Sequence, residues 1–132
     1  MEKRLQENYD DFVTVRNYLL SLQHGEAYIH PTKDYTRYFA GFDYHTISDE
    51  TVLASLKRLR SIRCSLISAV IAENSVSFTL WYRGADASCG VLYRIDKDRE
   101  VTPQFLTELH ETADEDWFTY IADYNEWRKQ HK

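Results

Sequence analysis

Few residues in this chain favour irregular backbone, since its 132 residues include only four glycines and two prolines. This composition excludes a collagen-like chain and argues against a disordered or linker-rich one. Cysteine is also scarce, because Cys64 and Cys89 are the only two, and no Cys-x-x-Cys spacing occurs. In a cytosolic chain we expect two buried, free thiols. The alternative is a disulfide between them, which requires that the strands that carry them pair.

The sequence contains none of the short motifs that mark common catalytic or cofactor sites. There is no GxGxxG or GxxxxGK[ST] phosphate loop, no GxSxG nucleophile turn and no HxH or HExxH metal spacing. The histidines are scattered: His24, His30, His45, His110 and His131. Runs of adjacent carboxylates are more typical of a solvated face than of an acid–base pair. We therefore expect no metal, no cofactor and no enzymatic activity.

Long hydrophobic runs are missing as well. The longest apolar stretch, residues 66–72, is interrupted by Ser68 and is far too short to span a bilayer. Residues 1–7 show no apolar region of a signal peptide, so we expect a cytoplasmic protein without a membrane partner. The basic cluster over residues 57–63 suits a helix C-terminus, and the net charge of −5 disfavours a nucleic-acid partner.

Helical periodicity appears in two places. Apolar residues recur at spacings near three and four over residues 2–24, which predicts a long amphipathic helix that ends before Gly25. A second helix is predicted over residues 49–60, with Ser48 as its N-cap. Between these helices, residues 26–47 are rich in aromatic side chains but irregular in pattern, so we expect mainly a long loop packed over the core. Short strands around Tyr28-Ile29 or over Thr36 to Phe39 are the alternative.

From residue 62 the hydrophobic period changes to two. Three strands at hairpin spacing, near 62–71, 76–82 and 88–95, predict an antiparallel meander. Pro103 opens a predicted short helix that continues to about His110. Residues 117–127 fit either a helix or a strand, and we favour a strand over 117–122 with a helical tail. The prediction is one α+β domain over residues 1–132, with an antiparallel sheet of three to four strands, a long N-terminal helix and a second helix packed on it.

Negative charge is concentrated in the last third of the chain. Residues 96–127 contain ten acidic residues against two basic ones, whereas residues 48–95 contain six basic and four acidic residues. Carboxylates interleaved with aromatic rings combine long-range steering with anchoring groups, as protein interfaces do. We therefore predict one outward patch for a basic protein partner, formed by Asp114, Glu115, Asp116, Trp117, Tyr120, Asp123, Tyr124 and Glu126.

Residues 78–117 also resemble a known pattern. A strand ends in Trp81-Tyr82-Arg83-Gly84, and Gly90-Val91-Leu92-Tyr93, a proline-led segment from Pro103 to Leu109 and the block Trp117-Phe118-Thr119-Tyr120 follow. This order is similar to that of small bacterial immunity proteins of toxin and contact-dependent growth inhibition systems. The resemblance implies a cytosolic inhibitor that binds a cognate toxin, such as a nuclease domain, and occludes its active site.

Two other functions stay open at this point. A small-ligand-binding domain or small enzyme would place a pocket near residues 28–45 and would use His30, Asp34 and His45. A structural subunit would bury its exposed aromatic side chains in a homodimer. The sequence does not predict the oligomeric state.

Overall fold

More of the chain forms β-strands than the sequence pattern predicts. The computed structural model, which describes residues 1–131, contains eight antiparallel strands in a single sheet. The strands are β1 Glu26–His30, β2 Tyr35–Ala40, β3 Asp43–Thr46, β4 Leu66–Val70, β5 Ser75–Tyr82, β6 Ala87–Arg94, β7 Leu106–Glu111 and β8 Trp117–Asp123. Their order across the sheet is β3-β2-β1-β4-β5-β6-β8-β7.

Five α-helices accompany the sheet in the described residues. They are α1 Glu2–Glu7, α2 Tyr9–Ser21, α3 Pro31–Asp34, α4 Glu50–Ser61 and α5 Tyr124–Gln130. None of them has the length and apolar character needed to cross a membrane. The α+β class is therefore confirmed, and so are the meander of β4, β5 and β6, the strand β8 and the helical tail α5.

The predicted size of the sheet is wrong, because eight strands replace the expected three or four. Residues 26–47 form three strands rather than a loop, and β1 and β2 include the two positions given as alternative short strands. The strands are short because Pro31 and the Gly41-Phe42 turn interrupt them. The helix predicted from Pro103 is wrong too, since residues 106–111 form β7. This strand lies at the sheet edge and has a bulge between Leu106 and Glu108, so its side chains do not alternate between buried and exposed.

The long N-terminal helix is also a wrong prediction, because it is divided at Asn8 into α1 and α2. The Asn8 side-chain amide donates to the Arg4 carbonyl at 3.0 Å, and such local bonds compete with the helical pattern. The second segment ends at Ser21, and Gln23, rather than Gly25, has the left-handed φ of 58°. By contrast, α4 begins and ends within one residue of its prediction, with Asp49 instead of Ser48 as the N-cap.

The helices α2 and α4 cover one face of the sheet and form the main core against it. Its largest buried side chains include Leu5, Phe12, Ile29, Leu56, Ile67, Phe78 and Trp117. A polar clamp joins the two helices, because the buried Asp11 carboxylate accepts bonds of 2.9 Å from both Ser55 Oγ and Arg58 Nε. A buried carboxylate needs such partners to offset its desolvation.

The other face has a smaller core around β8. Leu92, Phe118 and Tyr120 are buried there, with Val101 and Leu106 packed against them. The Tyr120 hydroxyl lies 3.0 Å from Thr79 Oγ1, which satisfies both polar groups in the interior. The connection between β6 and β7 therefore turns back over the sheet and covers this face.

A bulge in β5 depends on one glycine. The register with β6 shifts between Thr79 and Trp81, opposite Gly90. A side chain at Gly90 would overlap the Phe78 carbonyl oxygen, so the two backbones approach more closely than any other residue permits. Beyond the bulge, Trp81 is 54% exposed although Leu80 beside it is buried.

We predict that Gly90→Ala lowers the free energy of unfolding by about 1–3 kcal/mol or more, since the added methyl group forces the two strands apart. Urea titration followed by circular dichroism measures this change. Gly25→Ala is the matched control, because an added Cβ there meets no atom within 4 Å. Equal stability of the two variants would contradict the close approach.

Candidate functional site

One end of the sheet brings together turns that are distant in the sequence. The Arg94 amide donates to the Asp116 carbonyl at 2.8 Å, which places the end of β6 beside the β7–β8 turn. The Ile71 amide donates to the Gly25 carbonyl at 2.9 Å, which places the β4–β5 turn beside the start of β1. Because β1 and β2 are antiparallel, the β2–β3 turn lies at this end as well.

This end is strongly acidic, and we call it the acidic end. Its turns and strand ends carry ten acidic residues: Glu26, Asp43, Glu73, Asp96, Asp98, Glu100, Glu111, Asp114, Glu115 and Asp116. The same segments carry three basic residues, Arg94, Lys97 and Arg99. From β1 to β7 the acids extend over five strand spacings, or about 25 Å. The opposite end carries charges of both signs, among them Arg63, Arg83, Asp86 and Asp123, so the excess of negative charge lies at the acidic end.

Asn74 holds two of these acidic turns together. Its side-chain amide donates to the carbonyls of Asp96 and Arg99, at 2.8 and 3.0 Å, and its side-chain oxygen accepts from the Asp96 amide at 2.7 Å. The residue is buried and has a left-handed φ of 58°. Next to it, burial and the carboxylate of Glu26 raise the pKa of Glu73. The carboxylates at this end therefore occupy defined positions on a braced backbone.

The β7–β8 turn forms a cleft of about 190 Å³ within the acidic end. Its lining includes the carboxylates of Glu111, Asp114 and Glu115 and the ring of Phe118. Asp116 forms an ion pair with Arg94, at 2.8 Å from Nη2 to Oδ1. Among residues 1–131, no lysine or arginine pairs with the other three carboxylates, so they are available to an external cation.

An aromatic ring protrudes from the same end. Phe42 is 97% exposed at the tip of the β2–β3 hairpin. Gly41 and Phe42 have φ values of 61° and 65°, the pattern of a type I′ turn, in which a bulky second residue is unusual. A groove of about 270 Å³ beside the ring is lined by Glu26 and Phe39, among others. The sequence offers only Gly41 between two short aromatic runs as a signal, and we did not predict Phe42.

The predicted patch does not form as a unit, because two of its aromatic anchors are in the interior. Trp117 is 1% exposed and packs against Phe78 and Tyr93, and Tyr120 is 5% exposed on the opposite face. Burial raises the pKa of Tyr120 to about 12. Residues an odd number apart on a strand point to opposite faces, and both faces of β8 are covered here. These two residues therefore cannot be surface anchors.

The remaining predicted contacts divide between the two ends of β8. Asp114, Glu115 and Asp116 belong to the acidic end, whereas Asp123, Tyr124 and Glu126 lie about 20 Å away. The Asp123 carboxylate accepts the Glu126 amide at 3.1 Å and so caps α5. The ring of Tyr124 packs on Phe105. The second group thus has a local structural role.

The pocket considered near residues 28–45 is small. His30 and Asp34 line a cavity of about 70 Å³, well below the few hundred Å³ of ordinary small-molecule sites. His45 is not part of it, because its ring stacks on Tyr38 with centroids 4.9 Å apart. Tyr38 and His45 are paired in register on one face, and Tyr44 lies on the other.

The two cysteines are buried, and their surroundings do not activate the thiols as nucleophiles. Both are free, and β5 separates the strand after Cys64 from the strand that contains Cys89. Burial raises the pKa of Cys64 to about 12, and burial also raises the pKa of Cys89. Among residues 1–131, no group of three or more His, Cys, Asp or Glu side chains is arranged to hold a metal ion.

We predict that native Cys64 resists alkylation by iodoacetamide at pH 8. Its pKa of about 12, against an ordinary value of 9.0, lowers the thiolate fraction about 1,000-fold, because a raised pKa keeps the thiol protonated. Mass spectrometry of Cys89→Ser, which leaves Cys64 alone, measures the rate with and without denaturant. A native rate equal to the denatured rate would contradict the buried thiol.

No protein-family model, curated protein or solved structure matches the chain. The function is therefore inferred from the chain's own geometry and charge.

Proposed function

We propose that this chain is a non-enzymatic inhibitor that binds a basic protein, in the manner of an immunity protein that neutralises a nuclease toxin. The observation that carries this proposal is the acidic end, where ten carboxylates extend over about 25 Å of the sheet. A nuclease needs a positively charged groove to hold the phosphate backbone of its substrate. Carboxylates spread over that length occupy such a groove and keep phosphate out.

The charge distribution favours rapid association. A patch of one sign on one protein and the opposite sign on its partner raises the association rate above the value for neutral surfaces. Here ten acids are concentrated at one end, whereas the other end carries charges of both signs, so a basic surface attracts the acidic end most strongly. An inhibitor that protects the cell in which it is made needs a high association rate, because the toxin must be bound before it acts.

Phe42 supplies an anchor for the bound state. Interface energy concentrates in a few buried aromatic side chains, and charge alone does not hold a complex for long. The ring already stands clear of the protein on a two-residue turn, so little conformational entropy is lost on binding. The proposed contact surface therefore consists of the carboxylates of the acidic end together with Phe42, in place of Trp117 and Tyr120.

We expect that Asp114→Asn combined with Glu115→Gln lowers about tenfold, at low ionic strength, the association rate with a nuclease toxin domain that the wild-type chain neutralises, because two steering charges are lost. Surface plasmon resonance measures the rate, and growth rescue on co-expression measures neutralisation. The double change Glu7→Gln and Glu126→Gln is the control, since it alters the net charge equally outside the acidic end. Equal rates for both variants would remove the electrostatic basis of the proposal.

Replacing Phe42 with glycine separates binding from folding. Phe42→Gly relieves the left-handed backbone and should stabilise the protein by about 0.5–1 kcal/mol, yet loss of the ring should weaken the complex by about 2 kcal/mol, mainly through faster dissociation. Thermal unfolding and surface plasmon resonance measure the two effects. Tyr124→Ala, at the opposite end of β8, should keep the wild-type affinity, and a similar loss there would refute the role of Phe42.

A further inference from the structure

The strand β7 is an open edge of the sheet. It is last in the strand order, and no other strand among residues 1–131 pairs with its outer side. Residues 108–111 of this strand are all exposed. The helix α5 contacts the sheet near the other end of the strand. An uncovered edge of this length presents unpaired backbone groups that accept another strand.

The hydrogen-bond pattern identifies which backbone groups of β7 point outward. The Asp116 carbonyl accepts from β6, so the even-numbered residues of β8 point toward β6 and the odd-numbered ones toward β7. The Asp123 amide accordingly donates to the Phe105 carbonyl at 3.1 Å. His110 is paired with the odd-numbered Thr119, so its backbone groups point inward. Those of Leu109 and Glu111 consequently point away from the sheet.

The side chains of β7 determine which strand fits. Glu108 and Glu111 carry negative charge at the edge, and Leu109 between them is 37% exposed. A second copy in antiparallel pairing must set outward residues opposite each other, and the register that places Glu111 opposite Glu111 is destabilised by like charges. A basic strand meets attraction at the same position, so the acids favour it.

The cleft beside β7 fits the same occupant. Glu111 ends the strand and lines the cleft of about 190 Å³ together with Asp114 and Glu115. A lysine or arginine of an added strand places its charged group among these carboxylates. Backbone bonds then supply affinity, and the cleft supplies selectivity for a basic side chain.

From these observations we propose that β7 binds an extended, basic segment of the partner protein as a ninth strand of the sheet. The inference rests on the proposed function and specifies how the partner is held. The added strand bonds with the outward backbone groups of Leu109 and Glu111, and its lysine or arginine side chains lie on the face of Glu111 and the cleft.

A proline substitution tests the backbone bonds directly. Leu109→Pro removes an amide that points to solvent, which an edge strand tolerates, and Leu109→Ala is the matched control that keeps the amide. The probe is an eight-residue synthetic peptide of alternating lysine and valine, measured by isothermal titration calorimetry. We expect the proline variant to bind at least tenfold more weakly than the alanine variant, and equal affinities would overturn the proposal.

Wild-type protein provides a second test that does not depend on the folding of the variant. In hydrogen exchange followed by NMR, the peptide should protect the amides of Leu109 and Glu111 and leave that of His110, which is already paired, unchanged. A peptide methylated on alternate backbone nitrogens has the same charge and should not protect them. Protection elsewhere but not in β7, or equal effects of both peptides, would refute strand addition.

Binding of a nuclease toxin domain separates the two proposals. If the toxin is neutralised and its binding depends on Asp114 and Glu115 but not on the change at Leu109, the inhibitor function holds and strand addition is wrong. If the peptide adds to β7 but no toxin is neutralised, the edge binds a basic strand and the inhibitor function is wrong. If the protein instead dimerises through β7 in light scattering, a second copy is the occupant and the proposal fails.

Discussion

The structure depends on β8, which contributes to the cores on both faces of the sheet. Trp117 enters the main core beneath the helices, and Phe118 and Tyr120 enter the smaller core on the other side. Because these side chains are buried, the acidic residues Asp116 and Asp123 lie at the two ends of the strand. The smaller core also needs the β6–β7 connection to fold back over the sheet, and Asn74 holds the carboxylates of this connection at the β4–β5 turn.

Much of the architecture follows from local sequence pattern where that pattern is strong. The meander of β4 to β6 alternates cleanly because one face meets the helices, and α4 combines an apolar stripe with an acidic first turn. The short strands of residues 26–47 are only partly predictable, as alternatives for β1 and β2, because each is interrupted after four to six residues. β1 is fixed by its pairing with β4, more than 25 residues away along the chain, and β2 and β3 are fixed by pairing with β1 and with each other.

The sequence predicts the negative charge of the candidate site but not which aromatic side chains are exposed there. Carboxylates stay in water wherever the chain goes, so the acidity of Asp114 and Glu115 follows from composition alone. Whether an aromatic ring is an anchor or a core residue depends on what covers it. Trp117 and Tyr120 look like anchors beside acids, yet they are buried. Phe42 lies far from the acidic tail in sequence and at the other edge of the sheet, and only the strand directions bring it to the same end of the molecule.

The tip of the β2–β3 hairpin has a consequence for divergence. Because the ring of Phe42 contacts almost nothing in its own chain and adopts a backbone conformation that glycine prefers, the fold places little demand on the identity of this residue. Substitutions there are structurally inexpensive. Recognition can thus drift from one lineage to the next by exchange of a single protruding group, while the scaffold beneath keeps its packing unchanged.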